Sequence, residues 1–246
     1  MLKLFSFIYR SMIINIKKLQ KKVVKYLYNP HFIFIFVKQS KTKHMKNLIT
    51  ILFLVVSLAS FSQTSEREVK MVNEINAVRT NPSSYIPKIE KYIVMCEKKL
   101  QMIEAGKLKA SSSNGLSGAD LINDNIVTAK GLIEVLKNTP SLPELTVNVD
   151  MYLVTKAHGE YLLANNSDSH YDENGTLAPE RMKDLNVTNV TENIVNDNGM
   201  ITPTVVLLLV DAGIKGFGHR NNILNPDSRF ISVYTNGDTW VQNFAK

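Results

Sequence analysis

One cysteine in 246 residues, Cys96, leaves this chain without an internal disulfide, and a lone thiol defines neither a metal site nor a redox motif. No thiolate-stabilising motif surrounds it, so Cys96 reads as a small buried hydrophobe rather than a nucleophile. Acidic residues are missing from positions 1 to 62, which carry 11 Lys or Arg. Taking those from the 29 bases of the whole chain leaves 18 against all 22 acids in the other 184 residues, a formal net of −4. The whole-chain value of +7 therefore belongs to the front of the chain. No basic stripe remains elsewhere to follow a phosphate backbone, which argues against a nucleic-acid partner. Long apolar runs are lacking too. Leu48 to Leu58 is the kind of run that invites a membrane reading, yet at about 11 residues it falls short of the roughly 20 that a spanning helix needs. Internal repeats and low-complexity tracts are absent. So are the His-Glu-x-x-His helix of zinc peptidases and the Gly-x-Ser-x-Gly elbow of serine hydrolases.

What is present begins with a leader. Met45-Lys46-Asn47, the run Leu48 to Leu58, and Ala59-Ser60-Phe61-Ser62 give the positive start, short apolar stretch and small residues of a secretory signal. Cleavage after Ser62 is expected, with the mature chain starting at Gln63. Residues 1–44 read as a translated upstream region with Met45 the true start, the alternative being a second interfacial segment. The 184 residues that follow the leader are enough for one domain to bury a core without disulfides.

In the mature part, Ser65 with Glu68 three residues on predicts a capping box. Val69, Val72, Ile75 and Val78, with Met71, fall in one broad half of a helix that Thr80-Asn81-Pro82 stops. Pro87 to Ala105 and Ala119 to Leu136 are helical in pattern, with Ser111 to Gly115 a loop between them. Asp150 is the expected cap of a helix from Met151 to Leu163. His158 lies on or beside that helix's buried stripe and reads first as packing or a hydrogen bond, second as a ligand. Asn165 to Gly175 is a polar loop carrying His170, after which Pro179 opens a short helix. Val205 to Val210 is unbroken apolar sequence, a buried strand or a buried helix by itself; Thr202 as cap and Pro203 as first residue favour helix. Phe230 to Thr235 and Trp240 to Phe244 flank Asn236-Gly237-Asp238, a hairpin signal.

Four fragments then stand out: Asn73 to Pro82, Ser169-His170 with its turn through Gly175, Thr191-Glu192-Asn193-Ile194, and Gly218-His219-Arg220-Asn221-Asn222. Together they resemble the CAP superfamily of cysteine-rich secretory, antigen 5 and pathogenesis-related proteins, in its cysteine-poor bacterial form. Two departures are visible: Thr191 replaces the glycine of the family's Gly-Glu-Asn motif, and Asn174 stands where an Asp is common. The resemblance implies an α+β fold, a three-layer α-β-α sandwich with a central antiparallel sheet, spanning 63–246 with a helical insertion at about 83–140. It also implies a cleft lined by two histidines and two acids. His170 and His219 match the histidines, which can hold a divalent metal such as zinc. Glu192 matches one acid, and Asp211, at the end of the apolar run, is the candidate for the second. His170, Glu192 and His219 also have a plainer reading as a hydrogen-bonded polar cluster that fastens loops to the sheet.

The function implied is that of a secreted or envelope protein binding a small ligand (lipid, peptide or glycan) or an extracellular surface component. A metal-dependent extracellular hydrolase with Glu192 as general base, and a structural envelope or matrix protein without a ligand, are the alternatives.

Overall fold

The computed structural model describes residues 65–109, 117–197 and 199–246. The expected leader at 45–62, the segment 1–44 and the loop Ser111 to Gly115 lie outside the described residues. The core lies within the unit Thr64–Lys246.

The first helix, α1 (Glu66–Thr80), begins with the expected capping box, in which Ser65 and Glu68 bond each other's backbone amides. It buries Met71, Val72, Ile75 and Val78, the i, i+4, i+7 row that a helical face requires. Val69 is the exception. It sits three residues ahead of Val72 but has rotated off the stripe and is 44% exposed, because a three-residue spacing falls 60° short of a full turn. Pro82 then opens a 3-10 turn, Pro82–Tyr85, capped by the Asn81 side chain.

Two long helices follow, α2 (Ile86–Glu104) and α3 (Gly118–Asn138). Ile89, Ile93 and Cys96 of α2 join Ile122, Ile126, Ala129 and Leu132 of α3 in the main core. Cys96 is thus the small hydrophobe its surroundings suggested, and burial pushes its thiol pKa up.

The sheet has the order β1-β3-β4-β2, with β1 Thr146–Val147, β2 Thr191–Asn196, β3 Phe230–Thr235 and β4 Thr239–Ala245. Pairing is antiparallel throughout β3-β4-β2, as expected, whereas the two-residue β1 runs parallel to β3. Alternation along the strands sorts the side chains onto two faces. Ile231, Val233, Trp240 and Phe244 face α1, α2, α3 and helix α6 (Ile201–Val210). Ile194, Val241 and Ala245 face the opposite layer, helix α4 (Val149–Asn165) and the short α5 (Ala178–Arg181). The architecture is therefore the α+β three-layer sandwich anticipated from sequence.

Two helix starts differ from expectation. The cap of α4 is Asn148, whose Oδ1 accepts from the amides of Asp150 and Met151, so Asp150 falls inside the first turn, where its charge still suits the dipole. At α6 the helix begins at Ile201, and Thr202 turns its hydroxyl to donate to Glu74 Oε1 at 2.8 Å. A tertiary acceptor outcompetes the local cap. The apolar run is indeed a helix, with only Leu207 of its Val205–Val210 stretch turned outward.

The last helix, α7 (Gly218–Ile223), carries His219. Its far end is tied to α1 by Arg79. That guanidinium is fully buried and donates to the carbonyls of Pro143, Ile223, Asn225 and Ser228. Burial pulls its pKa down to about 10, which still leaves it charged at neutral pH.

Candidate functional site

The site is built outward from β2. Because strand side chains alternate, Glu192 points to the α4 layer and its neighbour Asn193 to the other face. Glu192 is almost wholly enclosed and both of its oxygens are engaged. Oε1 lies 3.0 Å from His170 Nδ1, and Oε2 accepts from Arg181 Nη2 at 2.7 Å. Arg181 also donates through Nη1 to the carbonyls of His170 and Thr176. One guanidinium thus fixes both the carboxylate and the loop that carries the histidine.

The loop itself is held by Asp172. Its Oδ1 accepts from the amides of Asn174 and Thr176, and its Oδ2 accepts from the Thr176 hydroxyl. Gly175 takes φ +71°, a conformation open to glycine at little cost. Asp172 therefore organises the turn, and Asn174 contributes its backbone amide.

His158 comes to the same carboxylate from beneath. Its ring is buried, with Nε2 at 3.7 Å from Glu192 Oε1, and it lies near-parallel to Tyr161 with centroids 6.1 Å apart. Burial pushes its pKa down, the Glu192 charge opposing and Arg181 assisting.

His219 forms the second pair. Asp211 terminates α6 in a left-handed conformation, φ 55°, which turns its carboxylate toward the start of α7. There Oδ2 accepts the amides of His219 and Arg220, and Oδ1 lies 2.7 Å from His219 Nδ1. Arg220 folds back to donate to the carbonyls of Leu209 and Val210, the loose end of α6, and lies over the Phe217 ring. Asp211 is thus placed beside His219.

Each histidine meets its own carboxylate, and the two pairs are joined through β2. Asn222 of α7 donates to the Glu192 carbonyl and to Asn193 Oδ1, while Asn193 donates to the His219 carbonyl and Gln242 Oε1. The two histidine-bearing segments therefore meet at Glu192, the His170 loop at its side chain and α7, through Asn222, at its carbonyl. The exposure pattern is shared as well. Side chains of Glu192 and Asp211 are 4% and 1% exposed, those of His170 and His219 are 47% and 20%. Buried acids hold accessible imidazoles by Nδ1. Among the described residues no group of three or more His, Cys, Asp or Glu side chains is arranged to hold a metal.

Sequence reasoning left Arg181, Asn193, Asn222 and Gln242 out of the site. The one available signal was alternation in Thr191-Glu192-Asn193-Ile194, which puts two adjacent polar residues on opposite buried faces, an expensive choice unless both are bonded.

No family model and no curated protein matches the chain. Solved structures similar to it include the following three. An extracellular protein containing an SCP domain from Bacillus anthracis is 20% identical, with TM-score 0.38, over 51% of this chain and 38% of that one. An outer surface protein from Borrelia burgdorferi is 21% identical, with TM-score 0.37, over 50% and 92%. A cysteine-rich secretory protein from Staphylococcus aureus is 14% identical, with TM-score 0.34, over 55% and 40%. The chain thus spans less than half the length of two of the three.

Proposed function

We propose that this chain is an exported CAP-type domain that binds a small ligand at the surface between His170 and His219, with a divalent ion such as zinc held by the two imidazoles. The observation that carries the reading is the use of Nδ1. In both pairs a buried carboxylate takes the Nδ1 side of the ring, which makes Nδ1–H the donor and leaves the Nε2 lone pair for a ligand. This is how metal-binding histidines are oriented by the groups behind them. A cluster serving only to fasten loops has no need to leave both rings accessible while burying both acids. Two imidazoles are fewer than the three or four protein ligands of most zinc sites, so binding is weak and open positions remain for the ligand. The ion would supply Lewis-acid attraction for an anionic or carbonyl group, while Arg181 and Asp211 keep the rings in place.

Hydrolysis with Glu192 as general base gains no support from this geometry. Both of its oxygens are engaged, by His170 and by Arg181, so its role is to position rather than to accept a proton from water. Export is read from the Met45 to Ser62 pattern and places the ligand outside the cytoplasm or in the cell envelope.

Titration calorimetry with zinc tests the proposal. Measurable binding to the parent chain is expected, with loss in both His170→Ala and His219→Ala and weakening on acidification, because the ligand form of imidazole is neutral. Equal affinity in His219→Ala means that this histidine is structural and the shared site does not exist.

A further inference from the structure

Helix α2 shows an outer face that nothing in the proposed site explains. Its acids Glu90, Glu97 and Glu104 recur every seven residues, and a seven-residue step drifts only about 20° around a helix. They therefore form one row along a flank, where Glu97 pairs with Lys130 of α3. Lys91 and Lys98 form a second row, one residue on, and Met95 and Met102 a third. Lys99 and Val94 border these rows. Val94, Met95 and Met102 are 48%, 57% and 46% exposed, and all three lysines are exposed. The outward face is thus composed of lysine, methionine and valine, with every acid of the helix turned aside.

The end of the helix extends this face. Gly106 takes φ +66°, and the amides of Lys107 and Leu108 both donate to the Met102 carbonyl, a glycine-terminated reversal of the chain. It brings Lys107 back beside Lys98, Gln101, Met102 and Ala105, which together line a shallow surface depression. Leu108 and Lys109 are exposed next to it. Among the described residues no carboxylate pairs with Lys91, Lys98, Lys99, Lys107 or Lys109.

We propose that this face of α2 docks on an anionic lipid surface. Five lysines without a counter-ion, a basic face that the reading of charge along the sequence did not show, call for a polyanion. The exposed Val94, Met95, Met102 and Leu108 among them select a lipid surface over a soluble one, because only at a headgroup boundary do apolar side chains and cations both gain. A soluble acidic polymer would satisfy the lysines and leave the methionines in water. The docking face lies on a helix remote in sequence from His170, Glu192 and His219, so it stands or falls independently of the ligand site.

The experiment uses the full chain with Cys96→Ala, carrying an environment-sensitive dye at Met95→Cys, or at Asp227→Cys as a control. Vesicles of phosphatidylglycerol mixed with phosphatidylcholine should blue-shift the dye at 95 and leave that at 227 unchanged, whereas pure phosphatidylcholine should shift neither. High salt should reverse the effect. Lys91→Glu with Lys98→Glu should weaken vesicle binding by about tenfold or more, since each surface lysine is worth roughly a factor of five, with the melting temperature unchanged. Met102→Ser should weaken it as well. A silent probe at 95, a response that survives the charge reversal, or binding to heparin that Met102→Ser leaves intact while vesicles evoke nothing, overturns the proposal. The last outcome would assign the face to a soluble polyanion.

Discussion

The buried histidine beneath Glu192 carries the clearest consequence at the scale of single residues. His158 has a lowered pKa in the fold, chiefly through burial, against an ordinary value of 6.5. Below that value the unfolded chain takes up a proton that the folded ring resists, so the unfolded state binds more protons and stability falls as pH falls. Above it the effect vanishes. Urea unfolding between pH 7.5 and 5 should therefore show declining stability in the parent chain and a flatter profile in His158→Phe. An identical slope in the two chains refutes the assignment. Arg181 offers a second check. Removing it as Arg181→Met leaves Glu192 buried beside two imidazoles without a cation, a change expected to cost about 3 kcal/mol or more. Double replacement with Glu192→Gln should recover much of that loss. His158 and Arg181 differ in how visible they were in the sequence. His158 was legible as a residue on a buried stripe. Arg181 was not legible as the partner of Glu192, because that residue lies on a strand that only the sheet brings near.

At the scale of elements, local signals were read correctly where the competing partner was also local. Ser65 with Glu68, the Asn81-Pro82 stop and the Asn236-Gly237-Asp238 hairpin are all closed within a few residues, so the sequence carries the whole interaction. Thr202 failed as a cap because Glu74, far away in sequence, offers its hydroxyl a better acceptor. The Gly218-His219-Arg220 stretch carries no cap of its own, and Asp211 supplies the acceptors that let a helix start there. Close packing of α4 on β3 was equally hidden. Gly159 of α4 faces the ring of Tyr234, and a Cβ at that position would fall inside contact distance of the ring. Gly159→Ala should consequently destabilise the chain by about 1 to 3 kcal/mol despite the better helix propensity of alanine. Chemical denaturation of Gly159→Ala and of the double variant with Tyr234→Val would check this, the second being expected to regain stability.

At the scale of the whole molecule, α+β character followed from helical periodicity and a terminal hairpin, and the three layers followed from the family resemblance alone. The lone parallel pair β1-β3 did not, since two residues carry no periodicity. One further consequence concerns synthesis. The order β1-β3-β4-β2 places β4, residues 239–245, between β3 and β2 and leaves β2 with β4 as its one strand partner. A nascent chain that has emerged only as far as β3 has nowhere to dock β2, and its Glu192 and Asn193 stay hydrated. Sheet and site must then form together, after residue 245 has left the ribosome, through contacts of long sequence separation that are slow to close. Until that moment the chain remains threadable. Nascent chains stalled on an added C-terminal linker should resist protease only once residue 245 has cleared the exit tunnel, so that the fold is reached after synthesis of the sheet rather than during it.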